Sequence, residues 1–279
     1  MKNRKKLVAL IMVLALALTT LVGGTLAYFT DDDEATNVFT MGNVEIDLKE
    51  NFDQNANLQP GLKVKKEVYV KNTGSNDAYV RVHIAVPAEL DSFFNTDRNF
   101  LHVEFKDASV ENPHWSWRSA NTTGKGYVEG DLNSYKTNIT FVEDDPATTD
   151  VDETVKKPYN VYVVTYRSAL ASGESTGRGT LEAQNVIEKV YLDTAVNATA
   201  KKGEDENGNE VVDSYTYFDD KGNEVTLTAA EAANIQILIV AEGAQTATFG
   251  NDAYAALNTT FGVPSAAANP WNNYGKPNP

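Results

Sequence analysis

Three histidines, His83, His102 and His114, are the chain's whole supply of imidazole, and it contains no cysteine. A zinc hydrolase of the H-E-x-x-H kind needs two imidazoles one helical turn apart, so that both rings reach the metal while the intervening glutamate reaches its water. No two of these histidines have that spacing. His83 and His102 fall at outward positions of expected strands and His114 lies between Pro113 and Trp115, so each reads as an ordinary surface residue. Only convergence of all three on a carboxylate would make a metal centre of them. The lack of cysteine removes thiol nucleophiles, thiolate metal sites and redox switching. Gly173-Glu174-Ser175-Thr176-Gly177 has the outline of a serine nucleophile motif without its strand-turn-helix context, and reads as a turn. With 39 acidic residues, a glycosidase pair is neither supported nor excluded. The acidic runs Asp31-Asp32-Asp33-Glu34, Glu143-Asp144-Asp145, Glu204-Asp205-Glu206-Asn207 and Asp219-Asp220 lack the EF-hand pattern and read as solvated turns. Weak extracellular calcium is the one cofactor left open. No catalytic, cofactor or metal residue is assigned.

The elements available to position any site are strands. Residues 78–86 alternate, with Ala78, Val80, Val82, Ile84 and Val86 on one face and Tyr79, Arg81, His83 and Ala85 on the other, the pattern of a half-buried strand. Similar alternation occurs at 64–70, 101–105, 159–166, 186–192 and 235–239. Strands separated by turn-rich stretches, without regular intervening helices, predict a sandwich or barrel rather than a parallel α/β fold. Two short helices are expected. One spans 87–94, with Leu90, Phe93 and Phe94 as its stripe. The other is capped by Asn251 or Asp252, striped by Ala253, Leu257 and Phe261, and stopped by Gly262. Residues 201–208 and 219–224 carry hairpin turn chemistry. The polar stretch 107–158 reads as a long insertion with a strand around 139–142. Its Trp115, Trp117 and Tyr127 are the aromatics an adhesin would expose. Residues 28–262 form one expected domain, followed by a flexible tail at 263–279.

The first 27 residues predict export. Lys2, Arg4, Lys5 and Lys6 precede an apolar run, and Gly23-Gly24-Thr25-Leu26-Ala27 ends with small residues where a signal peptidase needs them, so that cleavage leaves Tyr28 first. The membrane is then a partner only before cleavage. The formal charge is −15, and cleavage removes four cations and no acid, which makes nucleic acid an unsuitable partner.

The residues around the cut go further. Gly24-Thr25-Leu26-Ala27-Tyr28-Phe29-Thr30-Asp31, then Asn37, Phe39-Thr40, Gly42, Val44 and Ile46-Asp47-Leu48, resemble the start of the TasA/camelysin-like secreted proteins of Gram-positive bacteria. Leu58-Gln59-Pro60-Gly61, Val70-Lys71-Asn72-Thr73-Gly74 and Asp77-Ala78-Tyr79-Val80-Arg81-Val82 are similar to that family's second block, and 235–262 more loosely to its tail. The resemblance implies a signal cut by a peptidase of the SipW type, a jelly-roll-like β-sandwich, and a place in the extracellular or biofilm matrix or at the cell surface. It also implies fibres, made by donating the segment freed by cleavage as a strand to another copy or a related protein. Some relatives carry a metallo-endopeptidase label.

The residues themselves add one observation. Phe39 and Met41 are apolar at odd positions, whereas Val44, Ile46 and Leu48 are apolar at even ones, so the apolar face changes parity at Gly42-Asn43. Such a change marks a bulge, a corner between sheets, or a point where the chain leaves one sheet and joins another. Together with the resemblance it makes Tyr28, Phe29, Val38, Phe39, Met41 and Gly42 the candidate donor-strand residues.

Overall fold

In a computed structural model, the structure describes residues 27–28, 44–52, 57–92, 97–105, 114–117, 133–143, 153–177, 185–204, 207–233, 235–246, 249 and 251–273. Among the described residues the strands are β1 (Ala27–Tyr28), β2 (Ile46–Phe52), β3 (Asn57–Leu58), β4 (Val64–Asn72), β5 (Ala78–Pro87), β6 (Leu101–Phe105), β7 (Trp115–Ser116), β8 (Ser134–Glu143), β9 (Glu153–Tyr166), β10 (Ile187–Leu192), β11 (Asn197–Glu204), β12 (Glu210–Phe218), β13 (Glu224–Thr228) and β14 (Leu238–Gln245). Among the described residues they are accompanied by the helices α1 (Ala229–Ala233) and α2 (Ala253–Phe261) and a 3-10 turn at Pro270–Asn273.

Two antiparallel sheets make the sandwich, in the orders β2-β4-β10-β6 and β14-β5-β9-β7, with β8 also pairing β9. The chain crosses between them after β4, β5, β6 and β9, so strands adjacent in sequence face each other across the core, as in double-sheet rolls. Ile46 and Leu48, Val68 and Val70, Val80, Val82 and Ile84, Val164, Val190 and Leu192 fill the space between the sheets. The all-β sandwich expected from alternation is what the chain forms. A third sheet, β11-β12-β13, is a meander whose turns place Gly208 and Gly222 at φ 75° and 83°, where residues bearing a Cβ are disfavoured.

Several expectations need correction. Strand β5 is buried on both faces, not one. Its outer face lies under α2, which packs Ala253, Ala256 and Leu257 on Tyr79 and Ala244, and beside Trp271, which joins Ala85, Val161 and Val163. Residues 263–271 are therefore no free tail, since Trp271 is only 3% exposed. Over its described part, the helix expected at 87–94 is a single turn closed by Asp91 N–H to Pro87 O at 3.0 Å, after which Asp91 bridges to Leu101. The polar stretch 107–158 supplies sheet: β7 and β8 pair in succession along one edge of β9, the latter over ten residues. Helix α2 matches its expected caps, with Asp252 accepting from Ala255 N–H and Gly262 at φ 85°. Helix α1 was not anticipated, although Thr228 and Glu231 form a capping box, each side chain accepting from the other's backbone N–H.

Candidate functional site

The cleavage residue Thr25 and the donor residues Phe29, Val38, Phe39, Met41 and Gly42 lie outside the described residues. Ala27 and Tyr28 are placed as backbone, pairing with Leu58 and Asn57. The described chain resumes at Val44 and enters β2, the terminal strand of its sheet. Among the described residues β2 has one neighbour strand, β4, in continuous register from Ile46↔Asn72 to Phe52↔Lys66. Ile46 and Leu48 face the core, while Lys49 is exposed and bridges Asp47 at 2.6 Å.

Strand β14 is terminal in the opposite sheet, and the two edges approach at Gly243. A Cβ built there would meet Ile46 Cγ2 at 2.9 Å, so a glycine is what lets them close. The Lys71-Asn72-Thr73-Gly74 run shapes the turn after β4. Fully buried Asn72 donates through Nδ2 to Asn76 O and Leu170 O, both at 2.8 Å, and accepts from Gly74 N–H at 3.0 Å. The Gly173–Gly177 run is a bend that continues pairing along β4, with Thr176 N–H donating to Val70 O, and Ser175 Oγ donates to Gly177 O at 2.9 Å. It contains no helix, so no nucleophile elbow forms.

The three imidazoles sit apart. His83 on β5 is fully buried: Nε2 lies 3.0 Å from Glu242 Oε2 and Nδ1 3.2 Å from Tyr135 Oη. Burial holds its pKa below the ordinary value, against the opposing pull of Glu242. The expectation of a surface residue fails because α2 and the C-terminal turn cover this face. The Glu242 carboxyl is held below the usual range because the partners His83 and Arg81 outweigh its burial. Arg81 adjoins Glu242 through Nε, and its Nη atoms donate to Asn258 Oδ1 at 3.0 Å and to Gly262 O at 3.1 Å. His102, on the outer face of β6, lies between Asn99 Oδ1 and Asp193 Oδ2, at 3.0 and 3.1 Å. Burial lowers its pKa too. His114 stacks on Tyr166.

Among the described residues the acidic runs give no cation site. Asp219 is saturated by N–H donors from Asn99, Lys221 and Asn223, and these hold its carboxyl below the usual range despite its burial. Asp220 accepts from Asn99 Nδ2. Residues 31–34, 144–145 and 205–206 lie outside the described set. Trp115 and Trp117 are each 1% exposed and belong to the core, so the adhesin reading loses them; Tyr127 is outside the described residues. Among the described residues no helix is long and apolar enough to cross a membrane.

Sequence reasoning missed Arg81, Glu242 and Asp91. Arg81 and Glu242 had a signal, a charge in the middle of an alternating or apolar strand; Asp91, in the turn after β5, had none of that kind. Asp91 is fully buried and accepts from Tyr162 Oη and from Asn160 Nδ2.

Residues 2–99, about a third of the chain, match the family model described as camelysin metallo-endopeptidase. Over that stretch the chain is similar to the camelysin family, which bears out the resemblance read from its first blocks. No curated protein and no solved structure matches it. The metal implied by that description finds no fitting donor set among the described residues. They contain every imidazole of a cysteine-free chain, and no group of three or more His, Asp or Glu is placed to hold an ion.

Proposed function

From this camelysin-like N-terminal third, we propose that the chain is a secreted structural protein of the extracellular or biofilm matrix. It assembles into fibres when residues 28–41, freed by a signal peptidase of the SipW type, are donated as a strand to another copy or a related matrix protein. The observation that carries this reading is the position of β2. It is a terminal strand with a single described neighbour, and it begins a few residues after the segment whose apolar parity changes at Gly42-Asn43. Strand addition draws affinity from edge N–H and C=O groups and register from alternate side chains, and the terminal strand of a sheet is where such addition takes place. An anchored precursor cannot present Tyr28 freely, so cleavage controls assembly.

The test compares two purified chains, one beginning at Tyr28 and one at Gly42, by electron microscopy. Filaments from the first and none from the second are expected; equal filaments from both would sink strand donation. The description of the matching family favours a second reading, a secreted endopeptidase. Casein cleavage by a clean preparation, abolished by a chelator and restored by zinc, would establish it.

A further inference from the structure

Beneath the C-terminal segment lies a buried group of side chains that strand donation does not use. Arg81 and His83 project from the outer face of β5, Glu242 comes from β14 and Tyr135 from β8. Over them lie the last turn of α2 and the 3-10 turn. Arg81 donates to Asn258 Oδ1 and to Gly262 O, standing as a cation against the carbonyl end of α2, and its guanidinium lies over the Phe261 ring. Trp271 meets His83 edge-on with ring centroids 6.2 Å apart. In register His83 faces Val240 on one side and Val163 on the other, both apolar, so the charges acting on its ring are those of Glu242 and Arg81.

The partners assign the tautomer. Nε2–H donates to the Glu242 carboxylate, and Nδ1 accepts from the Tyr135 hydroxyl. In that state the site balances one cation against one anion and both imidazole nitrogens are used. A proton added at Nδ1 makes that nitrogen a donor aimed at a hydroxyl that was itself donating. It also places a second cation beside Arg81 with one carboxylate for both. A buried site cannot hold that arrangement without admitting water or parting its layers, and the layer that can part is the C-terminal one.

We infer that Arg81, His83, Glu242 and Tyr135 form an acid-released latch holding residues 253–271 over the outer face of β5, β9 and β14. At neutral pH the latch is closed. In acid the segment opens ahead of the sandwich, uncovering Ala85, Val161, Val163 and Val240, which otherwise pack against Trp271. The inference does not depend on strand donation.

Hydrogen exchange read by mass spectrometry, on the chain from Tyr28 to its end and corrected for intrinsic rates, tests it. Protection of 253–271 is expected to fall below pH 6.5, by up to about tenfold per pH unit if one proton is taken up on opening. Protection of β4 and β10 should hold over the same range. His83→Gln, which keeps a donor for Glu242 but cannot charge, should remove the early loss. Tyr135→Phe, which removes the donor to neutral Nδ1 and so eases protonation of the closed state, should lower protection at neutral pH and shrink the further loss in acid, and His102→Gln should leave that loss unchanged. Should the Gln variant fail to fold, the Phe variant and an NMR titration of the His83 ring decide. Loss of protection in step with β4 and β10 at every pH, an unchanged loss in His83→Gln, or a His83 ring that titrates apart from the opening would each overturn the latch.

Discussion

Arg81 is 1% exposed and spans three elements, joining the β14 carboxylate to Asn258 Oδ1 of α2 and to the carbonyl of its C-cap, Gly262. Removing one partner of such a pair leaves a bare buried charge, which costs far more than the pair itself contributes. Arg81→Met should therefore lower unfolding stability by about 3–5 kcal/mol in urea titrations. Arg81→Met combined with Glu242→Leu should recover much of that loss. Acid acts through the same residues. The pKa of His83 and that of His102 are both lowered in the folded chain, so the unfolded chain binds more protons below its ordinary histidine value of 6.5. Stability is then full above about 6.5 and falls as pH drops toward the folded values. The lowered pKa of Glu242 adds a second loss below its ordinary 4.5. Thermal scans from pH 8 to pH 4 should show a declining Tm with onset in the histidine range, and His83→Gln should flatten its first part.

At the scale of elements, the contact between the two sandwich edges depends on what Gly243 lacks. Gly243→Val should force Ile46 aside and part β2 from β14, at about 1–3 kcal/mol. Ile46→Ala in the same chain should recover part of the cost in a double-mutant cycle, because the clash is between those two side chains. Strand positions were legible from alternation, since a period of two is a property of the chain itself. The hairpins at 201–208 and 219–224 were legible from turn residues that tolerate positive φ. What could not be read was which outer faces would be covered. His83 lies on the correct face of the correct strand, yet its burial depends on α2 and Trp271, far along the chain, coming to rest there. The expected insertion at 107–158 misled for a related reason. The strand expected around 139–142 is the second half of β8, but that it extends back to Ser134 and lies along the edge of β9 is a tertiary fact.

At the scale of the whole molecule, the chain joins an acidic, cysteine-free sandwich to an N-terminal segment that carries the apolar Val38, Phe39 and Met41. A strong net charge keeps such copies apart in solution, so an assembly that works must draw its affinity from backbone pairing and a few apolar side chains. Fibre growth should consequently speed up with added salt, as screening weakens repulsion between copies, and light scattering at 50 and 500 mM sodium chloride would measure it. The central claim is that residues 28–41 act as a strand. It is tested most directly by adding a synthetic 28–41 peptide in excess to the chain beginning at Tyr28 and counting filaments by electron microscopy. The account predicts that the peptide occupies the accepting edge and suppresses filaments while a scrambled peptide does not. Undiminished filaments with the native peptide would contradict it.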